Sequence, residues 1–212
     1  MLKQRNVCII HGSKGFTDIF QDRDWKIVKD INEADLVQLT GGMDINPTIY
    51  GQIKHHTTHP DYKRDIGEIL VFHYCLSKKI PMAGVCRGGQ LINALYGGSM
   101  WQDVDKHHGR HPVKDTRTGK EFEVNSIHHQ MMIPHKEAEI ILTASESKKR
   151  SKMGKNGDEI TIMDTSPDDV EALFYRPIRA FCFQPHPELG WSSLTDAYFS
   201  YLHELIFPEG AD

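Results

Sequence analysis

The sequence predicts an α/β domain whose first half is a parallel sheet with crossover helices and whose later part is β-rich and partly antiparallel. Three observations carry this expectation. Short apolar runs alternate with helical patterns through the first half, the order that parallel strands with crossover helices require. Strand candidates then follow one another in the second half, some joined by the hairpin-type turns Thr118-Gly119 and Asn156-Gly157. Finally, 212 residues without an internal repeat or low-complexity tract suit a single domain over 1–212.

The elements follow in order. Val7 to Ile10 reads as a buried strand closed by His11-Gly12, and Leu36 to Leu39 as a second closed by Thr40-Gly41-Gly42. Asp65 to Lys79 has a helix period, with apolar residues at Ile66, Ile69, Leu70, Val71, Phe72 and Leu76, and Lys78-Lys79 suit its C-terminal dipole. Ile80 to Val85 is a third strand, with Pro81 near its start, where a missing N–H is tolerated. Gly88 to Tyr96 is helical and stops at Gly97-Gly98. Strands are expected over 120–126, 139–144, 159–163, 170–175 and 180–183. A last helix over 194–206 puts Leu194, Ala197, Tyr198, Tyr201, Leu202 and Leu205 on one stripe.

Composition narrows the function. Lys and Arg total 25 against 29 Asp and Glu, a net charge of −4, which argues against a broad footprint for nucleic acid or an anionic membrane. The apolar run at Val7 to Ile10 is too short for a signal segment, and nothing approaches a membrane span of about 18 residues. Four scattered cysteines with no CxxC pair make neither a disulfide framework nor a zinc ribbon. A cytoplasmic, reducing setting is the expectation, with any functional cysteine kept as a thiol.

Ile80 to Gln90 is the most informative segment. An apolar strand leads through Gly84 to Cys86, then to Gly88-Gly89 and a helix: the strand–turn–helix of a nucleophile elbow. Glycines are needed there because flanking side chains would clash with neighbouring elements. The helix N-terminus favours thiolate, and the Arg87 N–H is placed to donate to an oxyanion. A buried structural cysteine would share part of this pattern. Near the C-terminus, Phe181 to Glu188 ends an apolar strand in an extended stretch stiffened by Pro185 and Pro187. His186 and Glu188, two residues apart, face the same side there, so the carboxylate can fix the imidazole tautomer. The alternative is an exposed proline-rich loop.

Together GVCRGGQ (84–90) and QPHPE (184–188) resemble the GxCxGxQ and Q[WF]HPE motifs of class I glutamine amidotransferase domains. More narrowly, the chain resembles the γ-glutamyl hydrolase branch, peptidase family C26. Thr40 to Pro47 with Tyr50-Gly51 resembles its GGxDxxPxxYG stretch, Arg64-Asp65 with Glu68 its RDxxE helix start, and Val124 to Gln130 its VNSxHHQ. The resemblance implies a flavodoxin-like three-layer sandwich, with a central mostly parallel sheet and an additional antiparallel β region. It implies Cys86 as nucleophile, His186 as base and Glu188 as orienter, with an oxyanion hole from the N–H groups of Gly42 and Arg87. Gln90 would hold the glutamyl moiety, with Gly41, Asn125, Ser126, His128 and His129 completing the substrate pocket. Two departures stand out: Pro185 replaces the usual Trp or Phe, and Cys182, in place of a small residue or valine, reads as packing.

The implied reaction hydrolyses the γ-glutamyl amide of a small conjugate through a thioester, with no cofactor and no metal. RDxxE and VNSxHHQ belong to the hydrolase branch and favour that reading. The alternatives are a glutaminase subunit passing ammonia to a separate synthetase partner, a cysteine peptidase acting on ordinary peptide bonds, and a non-catalytic binding module. Self-association as a homodimer stays open. The basic run over 148–155 reads first as a solvated loop before the Asn156-Gly157 turn. Its sharper reading is a contact to an anionic or nucleotide-bearing leaving group. Thirteen histidines are unusual, but the groups His55-His56-His59, His107-His108-His111 and His128-His129 lack HExxH spacing. None is therefore expected to hold metal, and 107–111 reads as a polar loop.

Overall fold

Strands apolar on alternate residues to both sides must be covered on both faces, and this decides the architecture. The computed structural model describes residues 4–163 and 168–208. The strands are β1 (Asn6–Ile10), β2 (Lys26–Val28), β3 (Leu36–Leu39), β4 (Met82–Val85), β5 (Ser99–Trp101), β6 (Asp103–Val104), β7 (His108–Asp115), β8 (Glu121–Ile127), β9 (Met131–Ile133), β10 (Glu139–Ala144), β11 (Lys149–Met153), β12 (Glu159–Met163), β13 (Asp169–Tyr175) and β14 (Ala180–Phe183). The helices are α1 (Lys14–Gln21), α2 (Tyr62–Lys78), α3 (Arg87–Leu95) and α4 (Ser192–Ile206).

Among the described residues the main sheet runs β2-β1-β3-β4-β14-β13-β10-β7-β8. Its first five strands are parallel, in the doubly wound order of flavodoxin-like sheets; the remaining pairings are antiparallel. Val7, Leu36, Ala83, Phe181 and Phe183 face one side with α1 and α4. Cys8, Val37, Met82 and Cys182 face the other with α2 and α3. The expected three-layer α/β sandwich is thus observed, with its antiparallel region built as an extension of the same sheet. Two small sheets, β12-β11-β6 and β5-β9, sit beside it. Among the described residues no helix is long and apolar enough to cross a membrane.

Two expectations are corrected. Residues 107–111 are no loop: β7 begins at His108 and pairs with β8 from His108↔Ile127 to Lys114↔Glu121. Its inward positions, His111, Val113 and Asp115, alternate with exposed ones, but two of the three are polar, which hid the period. The basic run is not a solvated loop either. It forms β11 between β12 and β6, with Arg150 and Ser151 buried. Arg150 reaches Asp169 at 2.9 Å, so one of its charges is internal.

Candidate active site

Cys86 alone connects β4 to α3, with φ 49° and ψ −114°, a conformation rare for a residue with a Cβ and one that needs the surrounding structure to hold it. Its N–H donates to the Phe183 carbonyl at 2.8 Å, tying the turn to β14. The elbow closes only around glycine. A Cβ on Gly84 would lie 2.4 Å from the Gly88 backbone, and one on Gly88 2.6 Å from the Leu39 carbonyl.

His186 follows β14 and is held by its backbone. The Asn125 side chain donates to the His186 carbonyl and accepts from its N–H, both at 2.7 Å. The ring Nδ1–H donates to Glu188 Oε1 at 2.7 Å, which leaves Nε2 without a partner among the described residues. Burial alone would depress the His186 pKa, but the Cys86 sulfur and the Glu188 carboxylate outweigh it and push it up to about 10. A Cβ on Gly41 would come 2.7 Å from His186 Cε1 and 3.7 Å from Cys86 Cβ, so the loop after β3, the imidazole and the thiol share one small volume. The three strand ends that supply them, β3, β4 and β14, are adjacent and parallel. The carboxyl ends of parallel strands are where such folds bind ligands.

Behind this volume lies a buried ion network. Arg87, the first residue of α3, pairs with Asp65 at 2.5 Å and with Glu68. Arg64 donates to Glu68 at 2.7 Å and to the Gly41 and Thr40 carbonyls at 2.8 Å each. Four charges on α2 and α3 therefore fix the Thr40–Gly42 loop against the elbow. Neither the Gly42 N–H nor the Arg87 N–H is committed to another group among the described residues. Sequence reasoning met Arg64, Asp65 and Glu68 only as a resemblance. The available signal was an i, i+4 Arg–Glu pair followed by a charged residue inside an otherwise glycine and apolar elbow.

The remaining expected residues divide. Gln90 is buried, donating to the Gln184 side chain at 3.1 Å and the Gln130 carbonyl at 3.2 Å. Ser126 is buried, its hydroxyl without a hydrogen-bond partner among the described residues. His129 is half-buried beside Asp44 at 3.2 Å and Asp103 at 3.5 Å, and Asp44 above all draws its pKa up. The His128 ring turns into a buried group with His107, His111 and Glu171 instead of facing open space. A cavity of about 570 Å³ opens elsewhere, between the β7–β8 hairpin and α4, with Arg117, Trp191 and Tyr201 among its lining. It contains none of Cys86, His186 and Glu188 and carries none of this chemistry. Cys182 is fully buried against α3, as packing requires; burial raises its pKa.

The Peptidase C26 family profile matches residues 2–188. The chain belongs to the Peptidase C26 family, within the class I glutamine amidotransferase superfamily. It is 30% identical over 190 residues to Protein NtpR of Enterococcus hirae, covering 77% of this chain and 70% of that one. It is also 30% identical over 153 residues to a glutamine amidotransferase-like protein, the YvdE homolog of Lactococcus lactis subsp. cremoris, covering 56% of this chain and 80% of that protein. Among solved structures, a glutamine amidotransferase from Thermotoga maritima superimposes with a TM-score of 0.63 at 17% identity, covering 96% of this chain and 84% of that one. At that identity the likeness is one of fold.

Proposed function

We propose that this Peptidase C26 chain is a cysteine-dependent hydrolase that cleaves the γ-glutamyl amide bond of a small conjugate through a thioester. The observation that carries this reading is the convergence of a glycine-bounded Cys86 elbow with a His186 whose Nδ1 is held by Glu188 at 2.7 Å. In this mechanism the Cys86 sulfur, its proton passed to His186 Nε2, attacks the γ-carbonyl carbon. The oxygen takes up the electron pair against the N–H groups of Gly42 and Arg87, each contributing about 3 kcal/mol to the transition state. His186 gives its Nε2 proton to the leaving nitrogen as the C–N bond breaks. Water then attacks the thioester, losing its proton to His186. The C–S bond breaks, glutamate leaves and the sulfur recovers its proton. Proton transfer by a positioned histidine contributes roughly 10²–10⁴-fold.

Gln90, Gly41, Ser126 and His129 border the glutamyl side in this reading, and Asn125, expected among them, holds the His186 backbone instead. His128 supports that wall from behind through its bond to the Gln130 carbonyl at 3.1 Å. Arg150 is committed to Asp169, so a contact to an anionic leaving group falls to the exposed Lys148 and Lys149. Their double replacement by alanine should raise KM for an anionic conjugate and leave kcat unchanged; an unchanged KM removes that contact.

The deciding assay incubates the protein with glutamine, γ-glutamyl amides and α-linked peptides and follows glutamate and ammonia. Release of glutamate from γ-glutamyl amides is expected, with kcat lowered about 10⁴-fold or more in Cys86→Ala. Activity surviving that substitution would refute the mechanism. Turnover confined to glutamine would instead mark a glutaminase serving a synthetase.

A further inference from the structure

Histidines that stand apart in the sequence meet inside the antiparallel half. His107 precedes β7, His111 lies on it, His128 follows β8, and Glu171 lies on β13. All four side chains are buried, with exposures of 0%, 4%, 5% and 0%. One ligand atom from each lies within 4.8 Å of the others.

The hydrogen bonds around the group identify what each atom can do. His111 Nδ1–H donates to the Pro112 carbonyl at 3.2 Å, and His128 Nδ1–H to the Gln130 carbonyl at 3.1 Å. Ser147 gives its hydroxyl proton to Asp169 at 2.7 Å, so its oxygen accepts from His107 Nε2–H at 3.1 Å. Each neutral ring thus spends its one N–H outward and turns a lone pair inward. Those lone pairs, on His107 Nδ1, His111 Nε2 and His128 Nε2, converge on the Glu171 carboxylate. None of these nitrogens, nor either Glu171 oxygen, has a hydrogen-bond partner among the described residues.

Acceptors facing acceptors in a dry interior are costly unless a cation lies between them. A single proton would join one nitrogen to one oxygen and leave two imidazole nitrogens unpaired. A divalent ion satisfies all four ligands at once. The spacing agrees: His107 Nδ1, His111 Nε2 and His128 Nε2 stand 3.3, 3.6 and 3.8 Å from the nearest Glu171 oxygen. A tetrahedron with arms of about 2.0–2.1 Å has edges of about 3.3–3.4 Å, so a small contraction would complete it. The outer partners, two backbone carbonyls and the Asp169–Ser147 pair, are of the kind that orient metal-bound histidines.

We propose that His107, His111, His128 and Glu171 bind one divalent transition-metal ion, zinc by their three-nitrogen, one-oxygen donor set, as a closed structural site. Four protein ligands leave no open position for substrate, so the ion staples β7, the end of β8 and β13 together. It acts on the candidate active site only through position. Gln130, whose carbonyl orients His128, also accepts from Gln90, and Asn125 on β8, just before His128, holds His186.

The test reads metal and not turnover. Protein purified without metal-affinity resin is measured by inductively coupled plasma mass spectrometry, then stripped with chelator and titrated with Co²⁺ while its d–d absorption is followed. About one zinc per chain, a tetrahedral Co²⁺ spectrum and a lowered Tm after stripping are expected. His111→Ala and Glu171→Gln should each lose at least tenfold in metal per chain, whereas Cys86→Ala should keep it in full. Two results would overturn the proposal. One is folded wild-type protein that takes up neither Zn²⁺ nor Co²⁺, a reading that stands even if the variants misfold. The other is metal retained in both variants, which would move the ion to other side chains.

Discussion

The two halves of the main sheet use buried polar residues in opposite ways. In the parallel half, polar groups gather at strand ends: Cys86 after β4, the Gly41-Gly42 loop after β3, and His186 after β14, backed by the Arg64–Glu68–Arg87–Asp65 network. In the antiparallel half they lie within and beside the strands, where His107, His111, His128, Asp169 and Glu171 replace apolar core. The first arrangement leaves an imidazole nitrogen facing a thiol at the edge of the fold. The second closes its nitrogens around a carboxylate inside it. A buried histidine is thus defined less by its burial than by where its second nitrogen points.

Removing the positive charge at the centre of the parallel half should break it most severely. Arg87→Met strands Asp65 without its buried cation and leaves Glu68 to Arg64 alone, at a cost of about 3–5 kcal/mol. Denaturant unfolding should report that loss, and activity should fall with it because the elbow loses the ion pairs that hold the start of α3 to α2. A smaller effect separates the halves more cleanly. Asn125→Ala removes both side-chain hydrogen bonds from the His186 backbone and leaves its N–H unsatisfied, while the carbonyl keeps the Leu189 N–H, at about 1–3 kcal/mol. Because the segment carries a ring that must meet Cys86, kcat should fall roughly 10²-fold while KM changes little. Steady-state kinetics beside a melting curve would show this, and an unchanged kcat would mean that the clamp serves folding alone.

The smallest effect lies at the far edge of the antiparallel half. Burial works against ionisation of Asp115, but the Tyr201 hydroxyl and the Thr118 and Arg117 N–H groups hold its pKa down to about 2. A carboxyl depressed on folding adds stability above its unfolded value of about 3.9, and that stability is lost as pH falls toward 2. Asp115→Asn should therefore be less stable at neutral pH and have a flatter stability curve between pH 4 and pH 2. Parallel curves for the two proteins would remove Asp115 from the acid limb.

Local patterns made the parallel half legible. Strand 36–39 has its expected bounds, α3 begins one residue before expectation, and the elbow glycines stand where the chain turns. His186 and Glu188 could be paired from their spacing because two residues of extended chain fix which way they face. The short strands β2, β5, β6 and β9 span three residues or fewer, too few to show a period. β7 and β11 escaped because charged and histidine residues occupy their inward positions.

By itself, then, the sequence determined the order of the parallel strands' elements, the glycine-bounded cysteine and the histidine–carboxylate pair, since each depends on residues within a few positions of one another. Only the tertiary structure decided which residue Arg87 neutralises and where the second nitrogen of each histidine points. Those outcomes depend on pairing between distant segments. His108 meets Ile127 across β7 and β8, bringing His107 beside His128, and β13 adds Glu171 from more than forty residues away. Spacing within one histidine group cannot reveal a site assembled from separate strands.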